Sequence, residues 1–436
     1  MANSPRFLTV WMNGEHAATW SRPNGGHELT YEPLWVASAQ GRPLSLSLPF
    51  VPGNVPHRGD KVRMFFENLL PDRPEVRNRL RDRFGASSAQ AFELLAEIGR
   101  DCVGAIQLLR SEDDPPQVQG IKGVPLSQDE LSQQLDMAGG LNLPGFDMED
   151  FRISLAGAQE KTAFLWHQGQ WQKPLGSTPS THIFKLPLGR IGGFSSLGAG
   201  SVENEWLCSR IVQGYGLPIA ETQMLEVGSN KVLVVKRFDR RLATDGTWWV
   251  RLPVEDFCQA NGLPSEKKYE SDGGPGIDGI LTTLEGSQDP HVDRITFFKA
   301  QIVFWLLAAS DGHAKNVSIF LGPKGTYSLA PLYDVLSMYP WIGTVQNQLP
   351  LQKLKMAMAV RGKNPHYLWS SIYRRHWESV AVRNGLGKDF PSIISELIDR
   401  TPQVIKTVSA KLPADFPSSV AESIFQGMTQ AIQRLL

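Results

Sequence analysis

The succession of segments over residues 295–334 constrains the fold more than any other part of the chain. Ile295–Ser310 is apolar enough for a buried helix, and it ends at an Asp-Gly pair. Val317–Leu321 and Tyr327–Leu329 have strand composition and are separated by a short stretch that contains glycine, so they predict a hairpin. The hairpin leads to Tyr333-Asp334. The order predicts a helix, a polar loop and a hairpin, with acidic side chains before and after the hairpin.

Three polar side chains of this stretch match the set with which protein kinases transfer a phosphoryl group. In Ser310-Asp-Gly-His-Ala-Lys-Asn316 the carboxylate of Asp311 precedes the carboxamide of Asn316 by five residues, and Asp334 follows the hairpin. In kinases one Asp orients and deprotonates the acceptor hydroxyl, while an Asn and a second Asp hold the Mg²⁺ that bridges the ATP phosphates. Positioned charge is most of this mechanism, so few residues suffice.

Each of the three also has an ordinary structural interpretation. Asp311 fits a turn after a helix, where Asp-Gly is common. Asn316 fits a hydrogen-bonding residue of a loop, and Asp334 fits the N-cap of a helix that begins at Val335. The three together favour the catalytic interpretation.

Two upstream lysines, Lys161 and Lys185, lie in sequence contexts typical of strands. A kinase places such a lysine on the α- and β-phosphates and pairs it with a helix glutamate. Glu203 and Glu205 open the next predicted helix, Glu203–Tyr215, and either can supply that partner. The alternative is a lysine that points to solvent. We prefer Lys185 for the phosphate contact.

Other segments are candidates for nucleotide contacts. Ser154–Lys161 is rich in small residues, whose backbone N–H groups can approach phosphate oxygens, but it matches neither the Walker A nor the kinase glycine pattern. Lys236-Arg237-Phe238 follows an apolar strand and suits either a hinge whose backbone reads an adenine edge or an ordinary strand exit. His313 and Lys315 contact phosphate or only lie on the loop.

Net charge and one basic window bear on nucleic acid. The chain carries 44 basic and 44 acidic residues, which excludes a globally basic nucleic-acid binder but not a local patch. The window 353–383 holds a single acid, Glu378, and these basic residues: Lys353, Lys355, Arg361, Lys363, Arg374, Arg375 and Arg383. It predicts either a solvated helical face or a contact with DNA phosphates, with Arg383 close to the DNA.

Composition indicates a soluble, cytoplasmic protein. A length of 436 residues is too great for one ordinary core, so two or three domains are expected. Three widely spaced cysteines give neither a zinc pattern nor a disulfide set, which fits a reducing compartment. The N-terminus lacks the apolar core of a signal peptide, and no run reaches the ~18 apolar residues of a membrane span, so we expect no membrane contact.

We predict four regions along the chain. Residues 1–110 form an α+β unit with a strand at Phe7–Met12, a turn at Asn13-Gly14 and a half-buried strand over Leu44–Phe50. Residues 111–150 form a linker and a short helix. Residues 151–340 form the core with the nucleotide site. Residues 341–436 form a helical lobe with helices over Tyr367–Asn384, Pro391–Asp399, Pro402–Ala410 and Val420–Leu436.

The chain resembles the HipA family, the serine/threonine kinase toxins of bacterial HipBA toxin–antitoxin pairs. The similarity runs from about residue 7 to residue 340 in the family's order and rests on these motifs: Asn68-Leu-Leu-Pro-Asp72, Glu97-Ile-Gly-Arg100, Ser154–Lys161, Thr181–Pro187, Arg237-Phe-Asp-Arg240, Glu255-Asp256, Tyr269–Gly276, Ser310–Asn316 and Tyr333-Asp334. It implies an α+β, kinase-like fold related to phosphatidylinositol kinases, with an N-terminal β-containing subdomain and a largely helical C-terminal lobe. It also implies ATP and Mg²⁺.

The resemblance also implies residue roles. Asp311 is similar to the catalytic aspartate, Asn316 and Asp334 to the metal ligands, and Ser154 to an autophosphorylated serine whose modification expels its loop and silences the kinase. The residues that correspond to the family's ATP-binding positions are Ala156, Gly157, Ala158, Gln159, Glu160, Lys161, Lys185, Lys236, Arg237, Phe238, His313, Lys315, Asn316, Tyr333 and Asp334.

The implied partners are a HipB-like helix-turn-helix antitoxin dimer, operator DNA bound through the antitoxin, and a protein serine as substrate, with glutamyl-tRNA synthetase the leading candidate. The implied activity is inhibition of growth, which promotes persistence. A second hypothesis is a nucleotide-binding co-repressor scaffold that acts on operator DNA with its antitoxin. The presence of Asp311, Asn316, Asp334 and Lys185 together favours the kinase, and the basic window leaves room for both functions.

Overall fold

The protein is described from a computed structural model, in which residues 6–138, 159, 161–188, 200–344 and 348–436 are described. Within these residues, no helix combines the length and apolar character needed to cross a membrane.

The N-terminal part is an antiparallel sheet covered by helices. Its strands lie in the order β4-β3-β2-β1-β5. Trp20 is fully buried and stacks on Phe66 with ring centroids 3.9 Å apart, so sheet and helices share one core. The elements are β1 (Phe7–Met12), β2 (Glu15–Ser21), β3 (Glu28–Tyr31), β4 (His57–Arg58), β5 (Ile106–Arg110), α1 (Pro33–Ala37), α2 (Asp60–Glu67), α3 (Pro74–Phe84) and α4 (Ala91–Ile98).

A second antiparallel sheet has the strand order β10-β11-β9-β7-β8-β6. One face packs Phe164 and Phe184 against Leu131 and Leu135 of a helix, because apolar side chains alternate with polar ones along the strands. The elements are β6 (Gly123–Pro125), β7 (Lys161–His167), β8 (Gln170–Pro174), β9 (His182–Lys185), β10 (Thr222–Val227), β11 (Asn230–Lys236), α5 (Gln128–Ala138) and α6 (Ser201–Gly214).

The remaining chain forms a large helical core with small sheets at its edge. Helix α9 is buried along most of its length, and Trp305 at its end stacks on Trp369. The elements are β12 (Arg240–Leu242), β13 (Trp249–Arg251), β14 (Val254–Asp256), β15 (Ser318–Leu321), β16 (Tyr327–Leu329), β17 (Lys355–Arg361), β18 (Pro365–Leu368), α7 (Phe257–Ala260), α8 (Ile277–Thr283), α9 (Pro290–Leu306), α10 (Arg374–Arg383), α11 (Phe390–Ser409) and α12 (Ser418–Ile432).

The two predicted hairpins are confirmed. β1 pairs antiparallel with β2 across Asn13-Gly14, where both residues have positive φ, at 49° and 88°. Asn and Gly tolerate this conformation, which suits the twist of a tight hairpin. β15 pairs antiparallel with β16, as the pattern after the polar loop predicts.

The predicted strand over Leu44–Phe50 is wrong. Only an isolated bridge joins Ser45 to Leu48. The backbone there is satisfied by side chains instead: Leu44 N donates to the Tyr31 hydroxyl at 2.8 Å and Leu46 N to Glu255 Oε1 at 2.8 Å. The alternating hydrophobicity therefore belongs to a loop that packs between the N-terminal sheet, through Tyr31, and the segment that carries Glu255.

The structure also corrects one alternative interpretation and the bounds of three predicted helices in the C-terminal region. No helix begins at Val335, so the N-cap interpretation of Asp334 fails. The predicted helix Tyr367–Asn384 starts only at Arg374, because the preceding residues form β18 and pair with β17. The two helices predicted on either side of residues 400–401 are one helix, α11, which contains Pro402.

Candidate active site

The loop after α9 is closed by its own hydrogen bonds. α9 ends at Leu306, and Ala308, two residues later, lies in the left-handed region at φ 50° and turns the chain toward Asp311. Asn316 Nδ2 donates to the Asp311 carbonyl at 2.8 Å, and His313 N donates to the same oxygen at 2.8 Å. The five-residue spacing is thus the span of a closed loop, and with its nitrogen engaged the Asn316 carboxamide presents its oxygen as the remaining polar atom.

Asp311 presents its carboxylate to solvent with 60% of the side chain exposed. Tyr269 Oη donates to Asp311 Oδ1 at 2.6 Å, and His313 Nε2 lies 3.9 Å from the same oxygen. The His313 ring packs edge-on against Tyr269, and burial lowers the pKa of His313 below its usual value. Asp311 is therefore an accessible, oriented carboxylate.

Lys185 forms a buried ionic group with two carboxylates. Its Nζ lies 2.5 Å from Glu205 Oε1 and also contacts Asp334 Oδ1. Burial alone would lower the pKa of Lys185, but the two carboxylates outweigh burial and raise it, so the ammonium stays charged. Glu205, and not Glu203, is the helix partner, since Glu203 pairs with Lys231 at 2.8 Å.

Lys161 lies directly opposite Lys185 in the β7–β9 pair. Burial, aided by the neighbouring Lys185 charge, lowers the pKa of Lys161, while Asp334 opposes this shift. Burial works against the charge of Asp334, yet Lys185 and Lys161 hold the pKa of Asp334 below its usual value. The two adjacent lysines, one of them paired with Glu205 and Asp334, form a charged site whose ammonium groups can bind phosphate oxygens.

Tyr333 connects the Asp334 segment to the loop Ser310–Asn316. Its hydroxyl donates to the Lys315 carbonyl at 2.8 Å and shares a 2.6 Å hydrogen bond with Ser318 Oγ. Its ring also packs on Phe238, with centroids 5.7 Å apart. The predicted loop, Asp334 and the end of β11 are thereby brought together.

The donor set fits a hard cation held partly by phosphate. Asn316 offers a neutral oxygen, and Asp334 offers a carboxylate with 33% of its side chain exposed. Across the described part of the chain, no three His, Cys, Asp or Glu side chains cluster tightly enough to bind a metal by themselves. This is the expected pattern where Mg²⁺ takes one or two protein ligands and completes its shell with phosphate and water.

Not all predicted nucleotide residues present their side chains to this site. The Lys236 ammonium faces outward and pairs with Glu221 at 3.0 Å. The Arg237 guanidinium is buried and pairs with Asp239 at 2.8 Å. The Lys315 ammonium is buried, 2.9 Å from Asp72 Oδ1 and 3.1 Å from Asn68 Oδ1. Any nucleotide contact by these residues must come from their backbone.

The loop predicted to cover the nucleotide is described only in part. Ser154, Ala156, Gly157, Ala158 and Glu160 lie outside the described residues. Gln159 Nε2 donates to the Leu186 carbonyl at 2.6 Å, which attaches this position to the end of β9, one residue after Lys185.

The basic window 353–383 is not a single helical face. It runs through β17, β18 and α10. Arg383 Nη1 lies 2.7 Å from Asp278 Oδ2, Nη2 donates to the Arg361 carbonyl at 2.8 Å, and 40% of the side chain is exposed. Arg383 is therefore an accessible arginine that already has an intramolecular partner.

Tyr269 and Asp72 lie in motifs that carry the family resemblance but have no predicted role of their own. Tyr269 contacts the Asp311 carboxylate, and Asp72 contacts Lys315 and Lys268 at 2.9 Å each. Two sequence features could have revealed them. One is the glycine-rich stretch after Tyr269, and the other is the Asn-x3-Asp spacing, which places the side chains of Asn68 and Asp72 just after the C-terminal end of α2.

Comparisons with known proteins give a consistent result. The family model of the HipA N-terminal domain matches residues 8–109, and that of the HipA-like C-terminal domain matches residues 153–405. A Sinorhizobium fredii protein named as a kinase is 32% identical over 416 residues, 92% of each chain. The serine/threonine-protein kinase toxin HipA of Shewanella oneidensis is 27% identical over 397 residues, 88% of this chain and 84% of that one.

A solved structure shares the fold. The complex of HipA, HipB and operator DNA from Shewanella oneidensis contains a chain that matches with a TM-score of 0.78 at 23% identity, over 98% of this chain and 96% of that chain. The predicted α+β, kinase-like fold is confirmed.

Proposed function

Because the chain belongs to the HipA family and is a serine/threonine-protein kinase, we propose that it acts as the toxin of a HipBA-type pair and transfers the γ-phosphate of ATP to a protein serine. The observation that carries the proposal is the joint placement of Lys185, Glu205 and Asp334 in one ionic group beside the closed loop of Asp311 and Asn316. A binding scaffold has no need for an exposed, oriented carboxylate at Asp311.

The charged site around Lys185 and Lys161 would bind ATP through its phosphates. Lys185, held by Glu205, and the adjacent Lys161 would contact phosphate oxygens, and the backbone at Lys236–Phe238 would read the adenine edge. Asn316 and Asp334 would hold Mg²⁺, which when bound neutralises charge on the phosphates. Lys185 would then divide its hydrogen bonds between Glu205 and phosphate, which frees Asp334 for the cation.

Asp311 would act on the acceptor hydroxyl. The serine oxygen forms its bond to the γ-phosphorus, the serine proton passes to the Asp311 carboxylate, and ADP leaves with the electron pair of the broken bond. The exposure of Asp311 supports this role, because a protein substrate must reach it. Glutamyl-tRNA synthetase is the candidate substrate, and its modification would arrest growth and promote persistence.

The experiment is phosphate transfer from γ-labelled ATP with Mg²⁺, followed by phosphosite mapping on the chain and on glutamyl-tRNA synthetase. Asp311→Asn should retain ATP binding and lower transfer by roughly 100-fold or more, because the hydroxyl loses its proton acceptor. Asp245→Asn changes an exposed loop aspartate elsewhere and is the matched control. Near-parental transfer by Asp311→Asn would refute the assignment.

We also propose that Ser154 is autophosphorylated. A phosphate adds roughly −2 charge at neutral pH, and beside the ATP phosphates that charge would repel nucleotide and expel the loop. Mass spectrometry of the parent should show partial modification at Ser154, and the modified fraction should bind ATP weakly, while Ser154→Ala stays in the binding form. Tight ATP binding by fully phosphorylated protein would exclude this form of self-regulation.

A HipB-like helix-turn-helix antitoxin dimer is the proposed partner, and the assembly would repress transcription at operator DNA. The related chain in the Shewanella complex is assembled with HipB and operator DNA, which supports this. Arg383 would approach the DNA backbone and exchange Asp278 for a phosphate. Arg383→Ala should reduce the salt slope of assembly on operator DNA by about one unit. An unchanged slope would leave Arg383 as an intramolecular ion pair.

The second candidate is a nucleotide-binding co-repressor scaffold, favoured by the basic residues of the window 353–383. It predicts that Asp311→Asn represses the operator as well as the parent does. If repression were normal and no phosphate transfer occurred with the parent, the scaffold would be the better description.

A further inference from the structure

Tyr269 makes a direct hydrogen bond to the carboxylate that the proposed function assigns to catalysis. Its hydroxyl lies 2.6 Å from Asp311 Oδ1 and donates, since a carboxylate only accepts. Burial, together with the negative charge of Asp311, raises the pKa of Tyr269 above its usual value, so the phenol keeps its proton. One carboxylate oxygen of Asp311 is thus occupied, which leaves the other for a substrate hydroxyl.

A glycine-rich turn holds Tyr269 in place. The Tyr269 carbonyl accepts hydrogen bonds from Asp272 N at 3.1 Å and Gly274 N at 3.0 Å. A Cβ on Gly274 would lie 2.2 Å from the Lys267 carbonyl oxygen, and one on Gly276 would lie 2.3 Å from the Glu270 carboxylate carbon. Because the Cβ on Gly274 would overlap a backbone oxygen, the turn Tyr269–Gly276 can close this tightly only with glycine at position 274.

Both flanks of Tyr269 are anchored to other parts of the molecule. On one side the Glu270 carboxylate accepts from Ala359 N at 2.6 Å and from Arg361 Nε at 3.0 Å, both on β17. On the other side Lys268 donates to Asp72 at 2.9 Å, and its carbonyl accepts from Ala314 N of the catalytic loop at 3.0 Å. The phenol is therefore fixed relative to the loop that carries Asp311.

We propose that Tyr269 is a positioning residue that orients the Asp311 carboxylate toward the acceptor serine. The inference rests on the proposed role of Asp311. An exposed aspartate has free rotation about its side-chain bonds, and a hydrogen bond from a rigid partner selects the one orientation in which the second oxygen faces the acceptor. The edge-on contact with His313 fixes the plane of the ring.

The test is Tyr269→Phe in the full chain, which removes the hydroxyl and keeps the ring. We expect kcat for phosphate transfer from ATP to fall roughly 10- to 100-fold, because a misplaced catalytic group loses that much, while the KM and Kd for ATP stay within about 2-fold. The matched control is Tyr327→Phe, which removes a 2.6 Å hydrogen bond to the Thr283 carbonyl away from the site and should leave kcat unchanged.

A double-mutant cycle separates action through Asp311 from action on the surrounding fold. Added to Asp311→Asn, Tyr269→Phe should lower the residual rate by less than about 2-fold, because the carboxylate that it orients is gone.

Several outcomes would overturn the inference. A kcat for Tyr269→Phe equal to or above that of the parent would do so, and so would a full additional loss on top of Asp311→Asn. Loss of ATP binding together with turnover would do so as well, because the tyrosine would then support the nucleotide site and not the acceptor geometry. If Asp311→Asn itself kept full activity, the proposed function would fail, and that result is independent of Tyr269.

Discussion

Asp334 accepts a hydrogen bond from Lys185 and is also the carboxylate proposed to bind Mg²⁺. It has a positive φ of 56°, a conformation that Asp tolerates better than most residues. Lys185 and Lys161 keep its pKa low, so the carboxylate is charged without a metal. The Lys185 ammonium therefore compensates the carboxylates that contact it, those of Glu205 and Asp334, before nucleotide and metal bind.

At this scale we predict unequal effects of removing the two cation ligands. Asp334→Ala should weaken Mg²⁺-dependent ATP binding more than Asn316→Ala does, because a charged oxygen contributes more to a hard cation than a neutral one. ATP binding titrated against Mg²⁺ for both variants and the parent measures this. Identical Mg²⁺ midpoints for all three would remove both residues from the metal site.

At the scale of elements, the loop Ser310–Asn316, the turn Tyr269–Gly276 and β17 support each other. The loop is bound to β17 by the hydrogen bond from Ala357 N to the Ser310 carbonyl at 2.9 Å, and the turn is bound to β17 through Glu270. A change in the turn should consequently be felt in stability as well as in catalysis.

We predict that Gly274→Ala destabilises the protein by about 1–3 kcal/mol, the usual cost of overpacking, because its Cβ would overlap a backbone oxygen. Gly279→Ala is the control, since it lies in α8 with only ordinary contacts and should stabilise by up to about 1 kcal/mol. Urea unfolding measures both. Equal stabilities for the two variants would mean that the turn rearranges freely.

The sequence predicts elements well where their signals are local. Asn13-Gly14 carries the geometry of its own hairpin, and the spacing of Asp311 and Asn316 is the span of a loop that closes on itself. Prediction from the sequence fails where a segment's hydrogen-bond partner is far away in the chain. Leu46 N donates to Glu255, 209 residues later, and the predicted strand does not form.

The difference between local signals and remote partners also applies to the candidate site. Lys185 contacts Asp334, and Asn316 hydrogen-bonds to the Asp311 carbonyl, as the predicted grouping requires, while their roles in phosphate transfer stay predictions. The side chain of Lys315 instead faces Asp72, 243 residues earlier in the chain, which no pattern in the loop Ser310–Asn316 reveals.

At the scale of the whole molecule, two ionic clusters join the N-terminal part to the rest. Asp72 pairs with Lys315 and Lys268, and Asp101 pairs with the guanidinium groups of three arginines, Arg237, Arg240 and Arg251. Burial works against both carboxylates, but their cationic partners lower the pKa of each, that of Asp72 to about 2. Each cluster places an N-terminal carboxylate against cations of the kinase part.

The low pKa of Asp72 predicts a specific acid sensitivity. A carboxyl whose pKa is lower in the folded than in the unfolded chain contributes stability above its ordinary pKa of 3.8 and loses it as pH falls toward 2. Its contribution is about 2 kcal/mol at neutral pH. Urea unfolding at a series of pH values from 6 to 3 should show a smaller loss of stability on acidification for Asp72→Asn than for the parent. Parallel curves would contradict this.

The Asp101 cluster also bears on how the chain is made. Its carboxylate belongs to residue 101, while the arginines that compensate it come 136 to 150 positions later. Arg237 and Arg240 also contact Asp239 Oδ2, which accepts a hydrogen bond from Gly104 N at 2.7 Å. During synthesis the N-terminal part therefore emerges with a carboxylate whose last compensating cation, Arg251, is added 150 residues later. The strand end proposed to read adenine is held in the same cluster through Arg237. A chain that ends before residue 251 consequently lacks one of the three guanidinium groups that compensate Asp101.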